Sequence, residues 1–215
     1  MKFFALIQSA LDVLLPRHER SVRADTYTLS DLHVYPSAHD LCDISITTLA
    51  DYRNKAVEDC IRALKYNNSE HSAILFSEIL ADYLQEELAT KRTFSSRVIL
   101  IVPIPLHAKR EYERGFNQAD SVIQKLPSGY RNGELAAHAP TALIRVKNTK
   151  PQTHLSRALR LTNMSGAFSA DEKIVPGTHV FLIDDVATTG ATLAEATRTL
   201  EKVGATVTPI ALARA

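Results

Sequence analysis

Cysteine is scarce in this chain: Cys42 and Cys60 are the only two among 215 residues. They form no C-x-x-C pair, so neither a disulfide framework nor a four-cysteine zinc site is supported. Two free thiols suit a reducing cytoplasm. A charge surplus is missing too. Against 25 Lys and Arg stand 24 Asp and Glu, a formal net charge of +1. No global basic field therefore advertises nucleic acid or an anionic membrane, and any affinity for anions must be local. Long apolar runs are absent as well. The longest, Val98 to Leu106, is interrupted by Pro103 and Pro105 and is too short to span a bilayer. The apolar start at Phe3 to Ile7 is cut by Gln8, Ser9 and Asp12, which argues against a signal peptide. No internal repeat or low-complexity tract is visible.

What is present reads as alternating helices and strands. Phe4, Ile7, Leu11, Leu14 and Leu15 recur at helical spacing up to Pro16. Residues 17–50 read as irregular and polar, outside the core, with short strand-like pieces at 27–29 and 44–47. A helix is expected over 52–66, with Ala56, Val57, Cys60, Ile61 and Leu64 on one face, and a second over 69–90, carried by Phe76, Ile79, Leu80, Leu84 and Leu88. The run from Val98 to Val102 fits a strand buried on both faces. Further strands are expected over 142–146, 180–183 and 205–212. Helices are expected over 116–126 and 191–203, the latter stopped by Gly204. This alternation argues for an α/β domain with a mainly parallel sheet.

The most informative window runs from Val180 to Thr192. Four apolar residues make a buried strand, and Asp184 and Asp185 sit at its C-terminal end, where open α/β sheets place ligands. Ala187, Thr188, Thr189, Gly190, Ala191 and Thr192 then lead into a helix. Backbone N–H groups, hydroxyls and the helix dipole there suit a phosphate. Acids for sugar hydroxyls beside a nest for phosphate describe a ribose 5-phosphate site. The bland alternative is an Asp pair that merely caps the helix.

This window resembles the signature of type I phosphoribosyltransferases, which bind 5-phosphoribosyl-1-pyrophosphate (PRPP). The resemblance implies that Asp184 and Asp185 face the ribose hydroxyls and that residues 187–192 hold the 5-phosphate. Ala187 departs from the larger aliphatic residue more usual there. Upstream, Val102-Pro103-Ile104-Pro105 leads to Lys109, Arg110 and Arg114, cations for a pyrophosphate. Solvation, or pairing with Glu111 and Glu113, is the alternative for each. Pro-x-Pro followed by Arg-Gly-Phe-Asn-Gln at 114–118 resembles the ComF family, amidophosphoribosyltransferase-like proteins linked with competence and DNA uptake. Thr149, Gln152, Leu155, Arg160, Asn163, Ala167 and Phe168 fit the same family's pattern, as does Leu64-Lys65-Tyr66. The resemblance covers about residues 53–213.

From Arg145 through Asn163 there are five Lys or Arg residues and no acid. Lys147, Lys150, Gln152, Arg157 and Arg160 are therefore candidates for a basic flap over the pyrophosphate, against the alternative of a packed helix over 153–162. ComF-like proteins often begin with a cysteine-rich zinc module. Here its cysteines are missing, and His18, His33, His39 and Cys42 lack paired ligand spacing.

The expected fold is α/β and type I phosphoribosyltransferase-like: a mainly parallel central sheet flanked by helices, with an N-terminal appendage over 1–50 and the main domain over 51–215. The implied activity is transfer of a phosphoribosyl group from PRPP to a nitrogen nucleophile. Asp184, Asp185, Lys109 and Arg110 are its catalytic candidates, and Mg²⁺ comes with PRPP and without direct protein ligands. The alternative is a non-catalytic module binding ribose phosphate or single-stranded DNA in DNA uptake. Partners so admitted are PRPP, an unassigned acceptor, single-stranded DNA or DNA-uptake proteins, and a second copy in a homodimer, but no membrane.

Overall fold

The computed structural model describes residues 19–92, 98–148 and 164–215. The helix read over residues 1–16 lies outside them.

The first long helix shows how local chemistry sets the elements. Asn54 takes an extended conformation, and its side chain accepts from Ala56 N and Val57 N. That satisfies two of the donors a helix start leaves over. The helix then runs Lys55–Asn67 and buries Ala56, Val57, Cys60, Ile61 and Leu64, the face its spacing predicts. It stops at Asn68, which adopts a left-handed conformation at φ 48°. A shorter helix, α1, precedes it at Glu19–Ala24, so Lys55–Asn67 is α2. The next helix, α3, is Glu70–Arg92 and buries Phe76, Ile79, Leu80, Leu84 and Leu88.

The central sheet has six strands in the order β1–β2–β8–β7–β3–β4. These are β1 Ser37–Leu41, β2 Ile44–Asp51, β3 Ile99–Pro103, β4 Ala137–His138, β7 His179–Ala187 and β8 Thr206–Arg214. Only β1 runs antiparallel to its neighbour; the other pairings are parallel. The fold is the expected α/β type. Alternation along β7 feeds two cores. Phe181 and Ile183 join the layer containing α2 and α3, while Val180 and Leu182 join the layer containing the helix Ala191–Glu201. Gly204, just past that helix, has φ +88°, as a left-handed stop requires.

Three expectations change. Residues 17–50 read as lying outside the core, yet Leu32, Ile46, Leu49 and Ala50 are buried and β2 pairs with β8. The polar stretch around them hid the signal, since β1 exposes most of its residues at the sheet edge. Residues 142–146 read as a core strand, but Leu143–Arg145 (β5) pairs with Phe168–Ala170 (β6) in a separate two-stranded sheet, and an isolated bridge links Arg145 to His107. Its middle residue, Ile144, is exposed. The strand beside β3 is the two-residue β4, too short for a sequence pattern. Finally, the helix expected over 116–126 is present but shorter, Gln118–Ile123, and a separate short helix precedes it. Gly115, at φ 82°, ends α4 (Ala108–Arg114), and Asn117 caps α5 (Gln118–Ile123) with hydrogen bonds from Ala119 N and Asp120 N.

Candidate functional site

The C-terminal ends of the parallel strands β3 and β7 open onto a cleft of about 390 Å³. Ile104 and Leu106, beyond β3, form part of its wall. Ile104 is pinned by its own N–H donating to Ile183 O at 2.8 Å, and its carbonyl accepts from Asn117 Nδ2 at 2.9 Å. This places α4 and α5 beside the end of β7.

Asp184 and Asp185 both line the cleft, with unlike surroundings. Asp185 is buried. Its Oδ1 lies 3.2 Å from Lys65 Nζ of α2, and its Oδ2 accepts from Gln118 Nε2 at 2.5 Å. Gln118 Oε1 in turn accepts from Arg114 at 2.5 Å. Asp184 is closely surrounded yet partly open to the cleft, and its Oδ1 accepts the Asp185 N–H at 2.8 Å. Burial, then the charge of Asp185, pushes the Asp184 carboxyl up to about 7. Arg145 also faces the cleft, and burial lowers its pKa, helped by the nearby Arg110. Lys65, Arg110, Arg114 and Arg145 thus outnumber the two carboxylates. Such a cleft suits a ligand with several negative charges.

Beyond Asp184 a smaller recess is lined by Val186, Ala187, Thr188, Gly190, Ala191, Thr192 and Leu193. The helix α6 (Ala191–Glu201) starts here, capped by Gly190 at φ 78°. A Cβ on Gly190 would fall 2.7 Å from Leu41 Cβ and 2.8 Å from Ile46 Cδ1. The hairpin of β1 and β2 therefore presses on the back of the loop, and only glycine fits. Cys42 Sγ donates to Thr189 O at 3.0 Å, and Arg198 donates to Cys42 O at 2.6 Å, fastening hairpin, loop and helix together. The recess joins backbone N–H groups at a helix start to two threonines, an anion seat.

Residues 112–214 match the phosphoribosyl transferase domain family. The chain is 35% identical over 161 residues to DNA utilization protein YhgH of Escherichia coli K12, covering 74% of this chain and 67% of that one. It is 36% identical over 146 residues to the Salmonella typhimurium protein of the same name, covering 67% and 61%. Competence protein F of Haemophilus influenzae is 39% identical over 106 residues, covering 48% and 44%. The chain belongs to the ComF family. Its matches span about three fifths to two thirds of the length of the YhgH relatives.

Within the family's signature, the cleft and its recess collect Asp184, Asp185, Ala187, Thr188, Gly190, Ala191 and Thr192, together with Arg110 and Arg114. Thr189 is not part of either lining; its hydroxyl accepts from Ala191 N at 3.5 Å within the loop. Lys109 is outside the cleft lining, 4.0 Å from Glu113 on the exposed side of α4. Lys147 lies by β6, with Nζ donating to Ser165 O at 2.7 Å. Lys150, Gln152, Arg157 and Arg160, and with them the flap, lie outside the described residues, as does His18. His33 and His39 line a second cleft of about 410 Å³ beside Arg214 and Tyr35. Sequence reasoning gave no role to Lys65, Tyr66, Gln118 or Arg145. The available signal was Arg114 and Gln118 at i and i+4, and the Lys65-Tyr66 pair the family shares.

Proposed function

We propose that this protein binds PRPP in the cleft at the end of β7 and transfers its phosphoribosyl group to a nitrogen nucleophile, releasing pyrophosphate. One observation carries the reading: the Asp184 carboxyl, a helix-start anion seat and three arginines line one continuous region. Asp184 faces the sugar hydroxyls, and the 188–192 loop holds the 5-phosphate. Arg110, Arg114 and Arg145 lie where cations can offset charge developing on the departing pyrophosphate. Holding donor and acceptor in one orientation supplies the rest of the rate. Among the described residues, no group of three or more His, Cys, Asp or Glu is placed to hold a metal ion. Both oxygens of Asp185 are already engaged, so in this reading magnesium comes with PRPP and not through that carboxylate.

A second reading is a ribose-phosphate module without turnover that acts on single-stranded DNA. The names of the relatives, DNA utilization protein and Competence protein F, favour it. Pyrophosphate release from PRPP, measured with a panel of nucleobases and amines, tests the first reading. Release that depends on an acceptor and vanishes in Asp184→Asn supports it. Salt-sensitive DNA binding without any turnover would support the second. Among the described residues no helix is long and apolar enough to cross a membrane. The free thiols of Cys42 and Cys60 suit a reducing compartment, and a cytoplasmic location is part of the proposal.

A further inference from the structure

Asp185 is an unusual partner for a metal. Its side chain is 7% exposed and both carboxylate oxygens carry donors. On Oδ1 sits the ammonium of Lys65, itself 26% exposed and held in the last turn of α2. On Oδ2 sits the amide of Gln118, whose orientation is set from the far side. Arg114 donates to Gln118 Oε1, so the amide nitrogen must point at the carboxylate. Arg114, Gln118, Asp185 and Lys65 form one chain from α4 through α5 and β7 to α2.

Asp184 is the other carboxylate that lines the cleft. One of its oxygens accepts a backbone N–H, and no third carboxylate or imidazole is near enough to complete an ion site among the described residues. Magnesium fills most of its shell with water and ligand oxygens but still needs one or two carboxylate oxygens from the protein to be held there. Here it would have to displace a buried ammonium or amide and then sit beside the positive charges of the cleft.

We propose that the Lys65 ammonium takes the place of a divalent cation on the sugar side of the cleft, so that a ribose 5-phosphate group binds there without metal. This rests on the ribose-phosphate reading above. Lys65 occupies Asp185 Oδ1 and leaves Asp184 as the acid that meets the ligand. Any magnesium carried by PRPP then belongs to its pyrophosphate and not to the protein. The acids at 184 and 185 are accordingly not equivalent: Asp185 is a positioning residue acting through Lys65 and Gln118.

Ribose 5-phosphate is the suitable probe, because it has the sugar and phosphate but no pyrophosphate to bring its own metal. Calorimetry on the full chain, in EDTA and in magnesium, should give wild-type affinities within about twofold of each other. Lys65→Met should bind about tenfold more weakly in EDTA, and magnesium should restore part of the loss. Lys65→Arg, which keeps the charge, should still bind without metal. Wild-type binding that needs magnesium overturns the proposal. So does Lys65→Met binding as tightly as wild type in EDTA, or losing affinity that magnesium does not restore. If Lys65→Met does not fold by circular dichroism, the wild-type and Lys65→Arg comparisons still decide. Absence of wild-type binding in either buffer would instead remove the ribose-phosphate reading itself.

Discussion

Asp184→Asn should make the unliganded protein more stable, and only at high pH. The Asp184 carboxyl is raised to about 7, first by burial and then by the charge of Asp185. In the unfolded chain it titrates near 3.8. Below the unfolded value the group is neutral in both states and contributes nothing. Above the folded value it is charged in both, and the fold holds that charge at a cost. A tenfold change in proton affinity corresponds to about 1.4 kcal/mol, so the roughly thousandfold difference between the two states sets a ceiling of roughly 4 kcal/mol. Relaxation and water entry bring the expected gain to about 2–3 kcal/mol. Asparagine keeps the shape and the oxygen that accepts the Asp185 N–H. For a chain of this size the gain corresponds to roughly 4–12 °C in Tm. Melting curves of both proteins from about pH 4 to pH 9 should separate as pH rises through the folded value. A gap equal at both ends, or a variant less stable at the alkaline end, would refute the reasoning.

Asp184→Asn combined with Asp185→Asn should abolish PRPP binding by calorimetry while leaving the circular dichroism spectrum unchanged; unaltered affinity would remove the ribose-facing role. Gly190→Ala should cost about 2–4 kcal/mol in urea unfolding, because it adds a left-handed alanine to two sub-van der Waals contacts, and an unchanged midpoint would contradict the packing described. Arg23→Ala should destabilise by about 1–2 kcal/mol near neutral pH, less than a fully buried pair because the guanidinium is half exposed. Burial raises the Asp59 carboxyl, but the hydrogen bonds from Arg23 and Lys55 outweigh it and hold the group below its ordinary value. The stabilisation this brings is therefore present above the unfolded carboxyl pKa and is lost as pH falls through the folded one. A deficit that persists undiminished in acid would count against the pair.

The legible part of the site was contiguous. The strand, acids, loop and helix from 180 to 192 follow one another in the chain, so a single window displays them together. Lys65, Gln118 and Arg145 enter from three separate elements, and nothing local marks Gln118 as the amide that closes on Asp185. Gln118 could be noticed only as one letter of a motif. The long helices α2 and α3 were legible because their buried faces repeat over several turns. The strand β4 was not, since two residues make no pattern. β2 was only half legible, as a short strand-like piece outside the core. Its buried residues, Ile46, Thr48, Leu49 and Ala50, include a threonine whose hydroxyl is hydrogen-bonded to His39 Nε2. Lys109 reads as a cleft cation because, with Arg110 and Arg114, it follows the proline-stiffened turn after β3. One step around a short helix is enough to turn it outward.

The close fit of Gly190 against Leu41 and Ile46 makes the two ends of the chain mutually dependent. The family's domain match begins at residue 112, yet the surface that backs the loop before α6 comes from Leu41 and Ile46, and Lys65 precedes that match as well. A fragment cut at the match boundaries would hold the whole window from Val180 to Thr192 and lack the wall that gives the loop its shape. Exchanging this domain between relatives should therefore succeed only when the β1–β2 hairpin travels with it, so the segment that reads as peripheral sets the limit on how the binding unit can be transplanted.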